Sequence, residues 1–319
     1  MLAYRKTLIS TAATAATLAY WLNLREQNTD GGFKISSAIP TGLDLKRAKV
    51  TLYQYESCPF CRKVRGALDY AKVPYELVEV HPLTKSETRG FAGDYGKVPV
   101  LTVASTQNFQ LRESSKIVSA VLGSKESSNA SLLAPVLTWP KTQETWKNLG
   151  ENLSPSTEWI RWVDSYLVQL VVINIYRSLS ESKQTFNYLL THKEFSAFSR
   201  FAVFWSGTAV MTWVARKRRK SLGIEAGEER RALCEALRMF VETGLCTMNF
   251  LGGQEPSEAD FNVFGVIRSM EGFDTQSEIF SSVLGVEAWY RRMSEKVGNS
   301  MVISHENAGV RGNRVLGNV

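Results

Sequence analysis

Apolar and polar side chains alternate along "KVTLYQY", residues 49 to 55, which predicts a strand with one buried face. Directly after it, Val64, Ala67, Leu68 and Ala71 recur at helical spacing across residues 59 to 73, and Pro74 ends the run. "YELVEV" at 75 to 80 predicts a second strand. "KVPVLTV" at 97 to 103 and "FQLRE" at 109 to 113 predict a hairpin, and "SSKIVSAVLG" at 114 to 123 a helix stopped by Gly123. From 124 to 155 the chain is rich in Ser, Asn, Pro and Lys with little periodicity, which marks an interdomain connection. "TEWIRWVDSYLVQLVVINIYRS", 157 to 178, then opens a series of apolar-periodic helices. Nearly all of their aromatic residues, Trp159, Trp162, Tyr166, Phe201, Phe204, Trp205, Trp213, Phe261 and Phe264, are expected in the core. Ser257 with Asp260 three residues on predicts a capping box, a folding device and not a chemical one.

Strand, helix, strand, hairpin, helix is the thioredoxin-like order. The fold class is therefore α/β plus all-α, a thioredoxin/glutaredoxin-like N-terminal domain followed by a helical domain. The expected boundaries are 1–25 for an N-terminal anchor or targeting segment, 26–45 for a linker and 46–124 for the thioredoxin-like domain. A connection at 125–155, the helical domain at 156–298 and a disordered tail at 299–319 complete the chain.

The 319 residues suffice for two domains, and 44% hydrophobic with 22% charged residues is a globular composition. The net charge of +7 is scattered except at "RKRRK", 216 to 220, which reads as a solvated helix end or membrane-facing patch and not as a nucleic-acid site. The adjoining "FAVFWSGTAVMTWVA", 201 to 215, is charge-free but short for a membrane crossing, so a buried helix is expected. "TLISTAATAATLAYWLNL", 7 to 24, is also uncharged and spans roughly 27 Å as a helix at about 1.5 Å per residue. Arg5, Lys6 and Arg25 flank it, and no acid precedes Glu26. A single anchor in a mitochondrial membrane follows as the expectation.

The chemistry lies in "SCPFCRKVR", residues 57 to 65. Four cysteines, Cys58, Cys61, Cys234 and Cys246, are too few for a disulfide scaffold. A cysteine reacts as thiolate, and at a helix start the unpaired N–H groups and the helix dipole stabilise that anion. Cys58 is thus the reactive thiol, Pro59 suits the first helical position, and Arg62, Lys63 and Arg65 add positive charge. Cys61 is either a resolving thiol or a bystander. Zinc is disfavoured because no second ligand pair exists, and Arg62 stands where a c-type haem attachment needs histidine. Pro99 at a strand start and Glu113 with Ser114 at a strand-to-helix junction suit a ligand with a thiol, an amine and carboxylates, which is glutathione. Ser114 as an ordinary helix cap fits equally well.

"LYQYESCPFCRKVRGALDYAKVPYELVEVHP", "KVPVL", "LRESS", "WIRWVDSYLVQLVVINIYRS" and "FLGGQEPSEADFNVFGVIRSMEG" resemble, in the same order, segments of the membrane-associated prostaglandin E synthase 2 family. The similarity covers roughly residues 46 to 298 without the connection, and the tryptophan-rich segment makes it specific. The resemblance implies a glutathione-transferase-like C-terminal domain and a homodimer. It implies Cys58 as catalytic thiol with Tyr55, Phe60 and Cys61 around it. Val98 would meet the glutathione backbone, with Pro99 cis, and Glu113 and Ser114 would hold the glutamyl end. It further implies conversion of prostaglandin H2, a lipid endoperoxide, to prostaglandin E2, and haem bound through the glutathione thiolate. Glu113 stands where the family usually has Asp, and His81 where it has Asn. Two other readings remain open, a thiol-disulfide exchange enzyme using the same residues and a membrane-anchored non-catalytic scaffold.

Overall fold

The computed structural model describes residues 32–105, 108–123, 155–191 and 197–303. The anchor 1–25, nearly all of the connection 125–155 and most of the tail lie outside them. Strand β1 (Lys34–Ser36), β2 (Lys49–Gln54), β3 (Glu76–Glu79), β4 (Val100–Ala104) and β5 (Phe109–Arg112) form one sheet in the order β1-β5-β4-β2-β3. β2 runs parallel to β3 and antiparallel to β4, β4 is antiparallel to β5, and β1 is parallel to β5. Helix α1 (Pro59–Tyr70) crosses between β2 and β3, α2 (Ser86–Ala92) follows β3, and α3 (Ser114–Leu122) follows β5. Val50, Leu52, Val64, Leu68, Leu101, Leu111, Ile117 and Val118 fill the space between sheet and helices. On the opposite face Phe91 of α2 packs on Tyr53 with ring centroids 4.7 Å apart.

Two expectations need correction here. The linker 26–45 contributes β1, whose Lys34, Ile35 and Ser36 pair in register with Phe109, Gln110 and Leu111. Three residues are too few to display an alternation, and the strand exists because β5 offers it an edge. The tail beyond 298 is likewise ordered at its start: Tyr75 donates to Met301 O at 3.1 Å and accepts from Ile303 N at 2.8 Å, while Met301 N donates to Asp69 Oδ1 at 2.9 Å. Helix α2 has no counterpart among the expectations, since "SETRGFA" carries no apolar period.

The helical half comprises α4 (Pro155–Trp162), α5 (Val168–Ile175), α6 (Leu179–Thr191), α7 (Ala197–Ser221), α8 (Glu229–Met239), α9 (Glu258–Arg268), α10 (Asp274–Ser282) and α11 (Val286–Val297). A π-helical turn, Val163–Leu167, joins α4 to α5, and another, Phe240–Leu245, extends α8. Such turns insert an extra residue into the ladder and re-aim the side chains beyond. The capping box of α9 is present, with Asp260 Oδ2 accepting from Ser257 N and Ser257 Oγ at 2.9 Å, and Asp260 Oδ1 also takes the Trp289 indole N–H at 3.1 Å. Trp159, Trp162, Phe204, Phe261 and Phe264 are buried as expected. Phe201, Trp205 and Trp213 are not. They lie on the outer side of α7, whose inner side meets α6 through Gly207 against the Phe186 ring and through a Ser182–Thr212 hydroxyl pair at 2.7 Å. The buried helix expected at 201 to 215 is therefore only half buried.

The two halves share one continuous core. They meet backbone to backbone where α1 passes over α9 at Gly265; a Cβ there would fall 2.3 Å from Lys63 Cα. Glycine is required there because only a bare Cα admits the neighbouring backbone. Nearby, Arg268 of α9 donates to the buried Asp69 of α1 at 3.2 Å, and the Tyr75 hydroxyl donates to the same carboxylate at 3.0 Å. Pairing a wholly buried carboxylate in this way offsets its desolvation.

Candidate active site

Three strand ends converge at one end of the sheet. The register pairs Tyr53 with Val100 and Val100 with Arg112, so the residues after β2, before β4 and after β5 emerge side by side. Those residues are the Tyr55–Cys58 turn, Val98–Pro99 and Glu113–Ser114. The Val98–Pro99 peptide is cis. Val98 is half-buried, Pro99 buried and Glu113 exposed. Glu113 takes a positive φ of 69° and is itself the N-cap of α3, which puts Ser114 at the first helical position instead of at the cap. The Tyr95 hydroxyl donates to Glu113 Oε1 at 3.5 Å.

Cys58 is the N-cap of α1 in extended conformation, with Pro59 following, as the local sequence requires. The residue is half-buried. The Cys61 thiol donates to it and pulls its pKa below the ordinary thiol value; burial opposes this, and the N–H groups of Cys61 and Phe60 and the Lys63 charge reinforce it. Burial drives the Cys61 thiol the other way, well above the ordinary value, and its bond to Cys58 adds to the effect. The pair is therefore split into a thiolate-prone outer sulfur and a protonated inner one.

Around this pair the three basic residues named from the sequence meet partners that local pattern does not reveal. Lys85, at a left-handed φ of 51°, donates to the Tyr55 hydroxyl at 2.7 Å and lies 5.3 Å from the centre of that ring. Burial, then the neighbouring thiols, hold the Tyr55 phenol protonated. Lys63, wholly buried in the second turn of α1, bonds Ser115 Oγ at 2.8 Å and pairs with Asp164 in the first π-helical turn. Glu56 accepts from Arg62 at 2.5 Å and from Arg65 at 2.9 Å. Despite burial, which alone would raise it, those two guanidinium groups hold its carboxyl down at about 2. Glu79, buried beside the Glu56 charge, is pushed up to about 8 by burial first and that charge second. Its carboxyl accepts from Glu56 N at 3.0 Å and also meets Tyr188 of α6. Tyr176 reaches Ser57, one residue before Cys58. A cleft with about 620 Å³ of empty space, open to solvent, runs beside this turn between Glu56, Ser57 and Arg62 on one wall and Gln184, Tyr188 and Phe273 on the other.

His81 is taken up structurally: its Nδ1 accepts from Leu83 N and Thr84 N at 3.3 and 3.2 Å. His192 and His305 lie outside the described residues. Among the described residues no group of three or more His, Cys, Asp or Glu side chains is gathered to hold a metal.

Residues 52–128 match the glutathione S-transferase N-terminal domain family. Prostaglandin E synthase 2 of Danio rerio is 33% identical over 287 residues, which cover 82% of this chain and 74% of the relative. Prostaglandin E synthase 2 of Mus musculus is 29% identical over 81% of this chain and 73% of the relative. A solved structure, glutaredoxin 2 from Salmonella typhimurium in complex with glutathione, aligns at TM-score 0.40 and 18% identity over 78% of this chain and 94% of that one. With a thiol-bearing N-terminal domain, a helical second domain and this extent of identity, the chain belongs to the prostaglandin E synthase 2 family of glutathione-transferase-like enzymes.

Proposed function

We propose that the protein binds glutathione and isomerises prostaglandin H2 to prostaglandin E2, with Cys58 as the catalytic thiol. The observation that carries this reading is a thiolate-prone Cys58 at a helix N-terminus, in a chain of this family. Glutathione fits the residues available: the exposed Glu113 carboxylate would pair with its amine, the first N–H groups of α3 with its carboxylate, and the Val98 backbone with its peptide groups. When bound it supplies a second thiol and charge near Cys58. Haem, which the family resemblance implies through the glutathione thiolate, would draw no ligand from this chain and enters no step here.

In the isomerisation the Cys58 thiolate attacks one endoperoxide oxygen, forming an S–O bond as the O–O bond breaks with its pair going to the other oxygen, which takes up a proton as the alcohol. A proton then leaves the carbon bearing the sulfur-bound oxygen, and the C–H electron pair becomes the second bond of the ketone. The S–O bond breaks with its pair returning to sulfur, so the thiolate is regenerated and no net oxidation or reduction occurs. Tyr55, held protonated and bonded by Lys85, stands beside the thiols as a hydrogen-bond donor for developing negative charge.

The test offers prostaglandin H2 to the purified chain with and without glutathione, beside Cys58→Ser, and separates the products. Prostaglandin E2 above the spontaneous rate, lost in the variant, is the expected result; full turnover by Cys58→Ser would refute the mechanism. One observation favours thiol-disulfide exchange as a second reading, the direct contact of Cys61 with Cys58, since a resolving thiol needs that proximity. Cys61→Ser separates the two, because serine keeps a donor and cannot resolve a mixed disulfide. The same proposal assigns residues 1–25 to an anchor in a mitochondrial membrane and the assembled protein to a homodimer.

A further inference from the structure

The outer face of α7 is apolar along most of its length. Phe198 is 83% exposed, Phe201 61%, Trp205 46% and Trp213 62%, with Val210 beside them at 55%. At 3.6 residues per turn, Phe198, Phe201, Trp205 and Trp213 fall within an arc of about 120°. Arg216 and Lys220 continue the same arc, and both are exposed. A strip of aromatic rings thus runs into a basic terminus over about 33 Å, at about 1.5 Å per residue. Large exposed apolar patches on a folded domain mark contact surfaces, and this one has a helix of 25 residues behind it.

We propose that this face of α7 is a docking surface for an anionic phospholipid bilayer, on which the helix lies flat. Charge decides the occupant. The helix carries Arg200, Arg216, Lys217, Arg218, Arg219 and Lys220 and no acid. Arg219 is turned inward to Glu229 at 3.2 Å and to Ile224 O at 2.8 Å, while Arg216, Lys217 and Lys220 are exposed. Both exposed tryptophans have an ammonium over the ring: Lys217 lies 5.6 Å from the Trp213 centroid and Lys183 of α6 4.8 Å from that of Trp205. An indole with an adjacent ammonium suits the headgroup level, where the ring meets acyl chains and the charge meets phosphate. A second copy of the same face would bring three more exposed basic residues and no carboxylate from its helix. Crossing the membrane is a different matter: among the described residues no helix is long and apolar enough, and the inner side of α7 is occupied by α6. Lying in the interface needs only one apolar side, with basic residues to hold the phosphates. The inference stands independently of the isomerase reading and concerns a site far in sequence from the N-terminal segment.

Trp205 and Trp213 provide the readout. The full chain is mixed with vesicles of phosphatidylcholine alone or of phosphatidylcholine with phosphatidylserine, each carrying brominated acyl chains that quench indole fluorescence on contact. Trp205→Phe with Trp213→Phe removes the reporters and keeps the apolar face, so the difference from the unaltered chain isolates α7 from Trp21 of the N-terminal segment. The expected result is excess quenching in the unaltered chain on phosphatidylserine vesicles, lost with phosphatidylcholine alone. Arg216→Gln with Lys217→Gln and Lys220→Gln should remove it as well, since loss of three charges near such a surface changes partitioning by about a hundredfold. Equal quenching with and without the two tryptophans would overturn the proposal, as would a difference indifferent to lipid charge. So would a tryptophan emission shift that grows with protein concentration and ignores vesicles, which would assign the face to a second copy.

Discussion

The ammonium of Lys63, in the second turn of α1, and the carboxylate of Asp164, in the π-helical turn after α4, form an ion pair that joins the thiol helix to the helical domain. Ser115 Oγ donates to the second Asp164 oxygen at 2.5 Å, so three segments meet at one carboxylate. Lys63 is wholly buried while the Asp164 side chain is 36% exposed, and the two partners are therefore unequal.

Asp164→Ala should destabilise the protein toward the lower end of the ~3–5 kcal/mol seen when one member of a buried pair is removed, because a buried ammonium loses its partner. Lys63→Met keeps the apolar stem and leaves a carboxylate that water can reach, so its loss should be smaller. Denaturant unfolding of both variants checks this, and equal losses would contradict the burial argument.

Cys58 should react with iodoacetamide along a pH profile centred below the ordinary thiol value of about 8.5. Cys61→Ala removes the largest stabilising contact and should move that midpoint up, so alkylation at neutral pH slows; Cys61→Ser, retaining a donor, should move it less. Identical profiles for all three proteins would mean that the helix N-terminus alone activates the thiol.

Glu79 imposes a pH dependence of stability. Its folded pKa of about 8 lies above the ordinary 4.5, so the folded state holds the proton between those values and the unfolded state does not. Stability must then fall as pH rises from 4.5 to 8, by an amount on the order of 3 kcal/mol at neutral pH. Glu79→Gln should flatten that slope. Thermal midpoints of both proteins at pH 5 and pH 8, at about 1.4 kcal/mol per pKa unit, provide the comparison.

Glu113→Gln should weaken glutathione retention roughly tenfold or more, the loss expected when a charge-assisted hydrogen bond becomes a neutral one. Calorimetric titration with glutathione measures it, and the fold should be untouched because Glu113 is exposed. Unchanged affinity would remove Glu113 from the proposed site.

Local pattern carried the thiol turn well. Pro59, the apolar spacing of α1 and the alternation of β2 are each written within a dozen residues, and the structure forms them with ends a few residues shorter than the spacing suggests. The Ser257–Asp260 box was equally legible, since a cap is a four-residue event. What escaped is pairing over distance. β1 exists only against β5, Lys63 and Asp164 are 101 residues apart, and Tyr188 comes to Glu79 from another domain. The outward-facing aromatics of α7 escaped for a related reason: composition records that a segment is apolar and says nothing about which side a neighbour covers.

The contact of Gly265 with the Lys63 backbone bears on how this fold can be taken apart or recombined. Backbone pressed on backbone leaves no side chain to repack, so the thiol-bearing half seats on its helical partner like a key cut for one lock. Grafted onto another helical domain it would lack that seat wherever a side chain stood in place of Gly265. The CPFC half is thus not a portable cassette, and the helix that follows its cysteines seats on a residue about two hundred positions later in the chain.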